Sequence, residues 1–312
     1  MEKVICPICG GKEFEFLFSG RDYLHEIAGE FNVVRCPGCR LILTNPILAE
    51  AEIARYYPED YRPYGFNRKK IERQVKFKKH LPLLFHLIDS HEYFVPDLKK
   101  PARILEIGSG GGSFLFEYRL NHPNHYICAS DFNEEVVEKL KNRGFEAFVS
   151  NLKDIPGESN FYDLVFGWMV LEHVHDINRA LGEIRRVLKV DGLFCFSIPN
   201  AGSWEFGAFR EKWYATQVPT HLYHFDSESI GKILAKTGFE VVTIIHQRSF
   251  ANFFKSLENL TKFKKGRFGI YKLIRKAISW NKFYFLITLP LAYGLSALGQ
   301  SGRITIVARR KT

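Results

Sequence analysis

The sequence predicts an α/β fold built on a doubly wound, mostly parallel sheet. Three observations carry this. From residue 101 onward, short apolar runs alternate with segments of helical character. A glycine-rich turn, Gly108-Ser-Gly110-Gly-Gly112, joins the first run to the helical segment after it. The composition, 46% apolar and 25% charged, is that of an ordinary globular chain and excludes disordered, collagen-like and coiled-coil readings.

The elements follow in order. ARILEIG is a strand, the glycine turn comes next, and SFLFEYRL is a helix. HYICASD is a strand, EEVVEKLKNRG a helix and FEAFVS a short strand. FYDLVFGWM is a strand, and INRALGEIRRVLK is a helix that Asp191-Gly192 stops. GLFCFSIPN is a strand, ESIGKILAKTG a helix, and FEVVTIIH and RITIVARR are the last strands. Such β-α alternation places ligands beyond the carboxyl ends of the strands, near the point where strand order reverses.

Ahead of this domain, residues 1–45 form a separate module in which FEFLF and FNVVRC read as strands. Residues 46–100 form a helical linker with a Tyr/Pro-rich run, YYPEDYRPYG, and then a basic helix. Two cysteine pairs, Cys6-Pro-Ile-Cys9 and Cys36-Pro-Gly-Cys39, lie in the first module with 26 residues between them. Each pair can grip one metal from a tight turn, and together they supply the four thiolates of a structural zinc site. Free thiols, disulfides or a redox pair are the alternatives, although a redox site needs only one CxxC. Cys128 and Cys195 sit in apolar runs and read as buried strand residues. The start, MEKVICPICG, lacks the apolar core of a secretory signal, and a reducing cytoplasm suits all six cysteines.

The net charge of +10 is concentrated in two stretches. Residues 68–79 hold seven Lys/Arg and one Glu, and residues 255–282 hold nine Lys/Arg and one Glu. The remaining residues sum to −4. An anionic partner should therefore meet those two stretches. Residues 283–299 are seventeen without a charge, at the short edge of a membrane span and interrupted by Pro290 and Gly294. With the basic stretch before them, they read as an element lying on the inner face of a membrane, or as a buried helical cap.

The glycine turn fits neither a dinucleotide nor a phosphate loop. The third position of the GxGxxG fingerprint falls on Ser113 or Leu115, and no Gly-Lys-Ser/Thr follows. Glu106, two residues before Gly108, would repel a pyrophosphate and suits a ligand carrying an amino group and a sulfonium. Asp131 ends the next strand, 19 residues after Gly112, where a carboxylate can accept both hydroxyls of a ribose.

These residues resemble the class I S-adenosylmethionine-dependent methyltransferases. The resemblance covers about residues 101–245 through ILEIGSGGGSFL, Asp131, FYDLVFGWMVLEHV and RRVLKVDGLFCFSIPN. It implies a Rossmann-like seven-stranded sheet with an antiparallel last strand, RITIVARR, and S-adenosylmethionine as the methyl donor. That strand must return to the sheet that holds FEVVTIIH. Both ends of a helical insertion over 249–302 are then tied to one domain, which excludes a single membrane crossing. By the same resemblance Glu106, Gly108, Gly110 and Gly112 hold the methionyl end. Asp131 holds the ribose with Phe132 beside the adenine, and Asn151 and Leu152 take the place of the family's acidic residue near the adenine amine. Trp168 would line the donor pocket, with core packing as its alternative. Glu172-His173 match the family's LEH, as pocket-shaping or as capping residues.

The cysteine module and YYPEDY also resemble a methyltransferase subgroup that modifies sugars and envelope glycans. Trp213-x5-Pro219-Thr220-His221-Leu222-Tyr223-His224-Phe225 resembles that subgroup's acceptor-side segment. His221 is thereby the candidate base, and a packing residue in the alternative. It aligns with the last His of a YHEH-type motif whose other residues are replaced by Val218, Pro219 and Thr220. That favours O-methylation of a sugar, glycan or lipid-linked glycan over C-methylation. The runners-up are a nucleic-acid methyltransferase and a membrane-recruited binding module without catalysis. Against the first, Gly167-Trp168-Met169-Val170 stands where an Asn-Pro-Pro-Tyr-like tetrad would be needed.

Overall fold

The computed structural model describes residues 4–57, 64–90, 93–98, 100–262 and 284–312. The chain opens with strands β1 (Glu15–Gly20), β2 (Phe31–Arg35) and β3 (Ile42–Thr44) and a one-turn helix α1 (Glu50–Ile53). Helices α2 (Arg68–His80) and α3 (Pro82–Ile88) follow. The alternating series is β4 (Arg103–Ile107), α4 (Ser113–Asn121), β5 (Tyr126–Asp131), α5 (Glu134–Asn142), β6 (Glu146–Val149), β7 (Tyr162–Trp168), α6 (Ile177–Val187) and β8 (Leu188–Pro199). The remainder is α7 (Trp204–Phe209), β9 (Tyr223–His224), α8 (Ser227–Lys236), β10 (Phe239–His246), α9 (Ala251–Lys262), α10 (Tyr284–Ala297) and β11 (Arg303–Arg310).

Seven strands form one sheet in the order β10-β11-β8-β7-β4-β5-β6. The pairs β4–β5, β4–β7, β5–β6 and β7–β8 are parallel, and the last strands are antiparallel. Strand order reverses at β4, so the loops after β4, β5 and β7 open on the crevice expected for a ligand. Apolar residues lie at helical spacing on the helices that cover the sheet. In α6 they are Ile177, Ala180, Leu181, Ile184 and Val187, all buried. Asp176 caps that helix on the amide of Arg179, and Asn133 caps α5 on the amides of Glu135 and Val136. Helix α6 passes directly into β8 at Leu188, earlier than Asp191-Gly192 would place the break. Those two residues instead bend β8, with Asp191 at φ 61°.

The chain divides into two compact units. One comprises Tyr57–Ile198, Gly231–Ile244 and Thr305–Thr312, and holds the crevice. Ile71 and Val75 of α2 belong to its core together with Ile104, Leu115, Ala129 and Phe166. Cys195 is buried there, and its thiol donates to the Phe94 carbonyl at 2.9 Å.

The other unit comprises Met1–Tyr56, Pro199–Ile230 and Ile245–Ile304. Its sheet runs β1-β2-β3-β9, so two residues from far down the chain complete the N-terminal sheet. Thr44 fixes that junction, donating its hydroxyl to the His221 carbonyl at 2.8 Å and its amide to Leu222. The expected insertion leaves β10 and returns through β11, its neighbour in the seven-stranded sheet. Its residues 263–283, with most of the basic run, lie outside the described residues. Among the described residues no helix is long and apolar enough to cross a membrane.

Candidate functional site

Strand β4 delivers Glu106 and Gly108 to the crevice. The turn that follows holds Gly108, Gly110 and Gly112 at φ 62°, 49° and 71°, all in the left-handed region. A Cβ on Gly108 would lie 2.5 Å from Val170 Cγ2, so the backbone passes directly beneath Val170, two residues past the end of β7. Gly112 opens α4 as its N-cap.

Asp131 ends β5 and ties the turn to the next loop. Its Oδ2 accepts from the Gly110 amide at 2.9 Å and its Oδ1 from the Asn133 amide at 3.1 Å. Burial raises its carboxyl above the usual range, and the backbone amides of Asn133, Gly110 and Phe132 oppose that.

Glu106 is only 2% exposed, and among the described residues its Oε2 has no hydrogen-bond partner. Burial pushes this carboxyl well above the ordinary value. The Ser109 hydroxyl opposes the shift, and the nearby Asp131 charge adds to it. The Trp168 indole N–H, also buried, closes no hydrogen bond either, though it acts on the same carboxyl. Two buried polar atoms left unsatisfied on one site are a costly arrangement unless a ligand supplies partners. A ligand with a cationic amino group beside the glycine turn fits this pocket. Trp168 also packs on Phe114 and Tyr93, at ring separations of 5.0 and 5.4 Å. Core packing, the alternative reading of Trp168, is thus met by its ring.

Phe132 is half-exposed beyond Asp131. Leu152 is buried with φ 66°, which turns the loop after β6 sharply. Asn151 is exposed, and its Oδ1 accepts from the Lys153 amide at 3.1 Å.

The structure adds residues that the sequence reading passed over. Tyr57 sets its ring edge-on to Phe132 at 5.7 Å, and its hydroxyl lies 2.9 Å from His173 Nδ1. Ser113 donates to the Gly65 carbonyl at 3.0 Å, and a Cβ on Gly111 would strike the Tyr64 and Gly65 carbonyls at 2.6 Å. The Arg143 guanidinium bonds the Gly111 carbonyl and lies over the Phe66 ring. Residues on either side of 58–63 therefore hold the glycine turn, Phe132 after β5 and His173 in the loop after β7. The one sequence signal was the aromatic run YYPEDYRPYG.

His221 lies in the other unit and is 1% exposed. Its Nδ1 sits 2.8 Å from the Ala215 carbonyl, which can only accept. Nδ1 therefore donates to that carbonyl, which fixes the orientation of the ring. His224 is buried against Thr44, and burial lowers its pKa to about 4. It is a neutral structural residue.

The four N-terminal cysteines converge. Their sulfurs all lie within 4.8 Å of one another, with Cys6–Cys39 at 3.3 Å and Cys9–Cys36 at 3.4 Å, too long for disulfides. The two turns repeat one hydrogen-bond pattern. Gly10 bonds back to the Cys6 carbonyl as Arg40 does to that of Cys36, and the Cys6 and Cys36 amides reach Gly11 and Leu41. This donor set fits one tetrahedral, thiolate-binding metal ion.

The methyltransferase domain family matches residues 77–244, more than half of the chain. A malonyl-[acyl-carrier protein] O-methyltransferase of Geobacter sulfurreducens is 26% identical over 199 residues, 60% of this chain and 68% of that enzyme. A ubiquinone/menaquinone biosynthesis C-methyltransferase of Rickettsia typhi is 26% identical over 48% of this chain and 62% of its own length. Three further enzymes bearing the malonyl name are spanned over only 50 to 54% of their lengths. Among solved structures, a methyltransferase in complex with the Haloferax volcanii Trm112 methyltransferase activator shares the fold. Its TM-score is 0.51 at 14% identity, over 78% of this chain and 97% of that one. The sheet order, the glycine turn with its buried acid and this match agree, and the chain belongs to the class I S-adenosylmethionine-dependent methyltransferases.

Proposed function

We propose that this enzyme methylates a hydroxyl oxygen of a sugar, a glycan or a lipid-linked glycan. The donor half of that reading is carried by Glu106, whose unpartnered Oε2 waits at the head of the glycine turn. The acceptor half is supported by the likeness of the cysteine module and of Trp213…His221 to sugar-modifying enzymes.

The donor supplies a methyl group already activated on a sulfonium. The chain has then to bind, orient and move one proton. Glu106 and the turn hold the cationic end, Asp131 the ribose hydroxyls, and Phe132 and Leu152 the base, with Asn151 as a hydrogen-bonding group beside it. Positioning supplies most of the acceleration for an in-line transfer. His221 Nε2 takes the hydroxyl proton as the acceptor oxygen attacks. We assign Cys6, Cys9, Cys36 and Cys39 a structural zinc ion, with four protein ligands and no open position for chemistry.

A second reading follows from the Geobacter relative, which by its name methylates a malonyl group on an acyl-carrier protein. A carboxylate acceptor would need no base, so the readings separate at His221. The test supplies labelled donor with a panel of nucleotide sugars, lipid-linked sugars and carrier-bound acids, followed by product mass spectrometry. We expect methyl ethers on a sugar, with turnover lost in His221→Ala while donor binding persists. Methyl esters, formed equally well by His221→Ala, would contradict the sugar reading.

A further inference from the structure

Helix α2 is fixed in the core by Ile71 and Val75, which decides what its other face presents. Arg68 pairs with Glu72, and Lys78 pairs with Glu117. Lys69, Lys70, Arg73, Lys76 and Lys79 are exposed and pair with no carboxylate among the described residues. The chain then turns into α3 and displays apolar side chains instead of covering them. Leu83 is 83% exposed, and Leu81, Leu84 and Phe77 are 47%, 44% and 42% exposed. Single exposed leucines are ordinary, but four large apolar side chains within eight residues, beside five unpaired cations, are not.

We propose that this α2–α3 surface docks on an anionic lipid bilayer, its cations on the headgroups and its leucines in the acyl boundary. The proposal goes beyond methyl transfer and does not depend on it. A bilayer offers anionic charge directly above an apolar layer, which is the order of the two side-chain types here. Nucleic acid would engage the cations and leave the leucines in water. A globular partner requires a matched shape, whereas a bilayer requires none. The chain also repeats the same pairing at a second place. Nine Lys/Arg and one Glu over 255–282 precede the seventeen uncharged residues 283–299. There α10 buries Ala292 and exposes Leu291, and Leu298, just past its end, is exposed as well. Two such signals are what stable anchoring needs, since one alone gives only marginal, reversible binding.

The experiment is co-sedimentation of the full chain with phosphatidylglycerol–phosphatidylcholine vesicles and with phosphatidylcholine vesicles. Binding to the anionic vesicles should be at least tenfold tighter and should weaken with salt. Lys76→Gln with Lys79→Gln should weaken it about 25-fold, roughly fivefold for each cation near the surface. Leu83→Ser with Leu84→Ser should weaken it tenfold or more. All four side chains lie on the surface, so thermal unfolding should stay unchanged and report intact folding. Equal binding to both vesicle types, or unchanged binding by both variants, would overturn the proposal. So would competition by millimolar glycerol phosphate, which would make this a small-anion site, or retention by duplex DNA or an acidic protein without vesicle binding.

Discussion

Replacing Glu106 by Gln should make the free protein more stable and its donor complex weaker. The carboxyl is buried, lacks a partner on Oε2 and stands near the Asp131 charge. Its folded pKa is raised above the ordinary 4.5, so the folded state holds the proton more tightly than the unfolded chain. The stability this gives is full below 4.5 and is lost as pH rises through the folded value. Glutamine keeps the shape and removes the titration, so the variant should hold its stability across that window. In the complex the signs reverse. A charge-assisted bond from the ligand's ammonium to the carboxylate is worth about 1.5–3 kcal/mol, so the variant should bind about 10- to 150-fold more weakly. Because the ligand favours the ionised carboxyl, binding should also release protons. Titration calorimetry with S-adenosylhomocysteine in two buffers of different ionisation enthalpy measures both effects. An affinity equal to wild type, or a variant less stable than wild type at neutral pH, would refute this reasoning.

Gly108→Ala places a Cβ 2.5 Å from Val170 Cγ2 at φ 62° and should cost at least about 2 kcal/mol in urea unfolding, with donor binding lost. Cys36→Ser should remove zinc that elemental analysis finds at one ion per wild-type chain, and should lower the melting temperature. Glu205 is buried, its Oε2 takes the Trp213 indole N–H at 3.1 Å, and burial raises its pKa to about 7. Its protonated form stabilises the fold below 4.5 and loses that effect as pH rises through 7. Glu205→Gln should therefore abolish a stability loss of about 3 kcal/mol between pH 4.5 and pH 8, read from urea melts at several pH values.

The seven-stranded sheet was legible because each of its strands is a short apolar run set off by a helix or a turn. The candidate donor site was legible for a related reason. Glu106 and Asp131 sit at strand ends and the three glycines in the turn between β4 and α4, so their spacing in the chain reflects their spacing in the fold. The rest depends on long-range pairing. Strand β9 is two residues long, and nothing in Tyr223–His224 announces that β3 is its partner. Tyr57 meets His173 across 116 positions of sequence, through a hydrogen bond that leaves no periodic trace. The Glu205–Trp213 pair is hidden likewise, since a glutamate in a short helix reads as solvated until the fold closes over it. Cysteines were the exception among the distant contacts, because the repeated CxxC marks both halves of one site.

The account rests on a donor site formed by the glycine turn, Glu106 and Asp131. Its most direct measurement is S-adenosylhomocysteine binding by calorimetry to the wild type and to Asp131→Asn. The account predicts one saturable site per wild-type chain and at least tenfold weaker binding by the variant, whose amide loses acceptor capacity for the ribose hydroxyls. An absence of binding by the wild type, or equal binding by the variant, would contradict it.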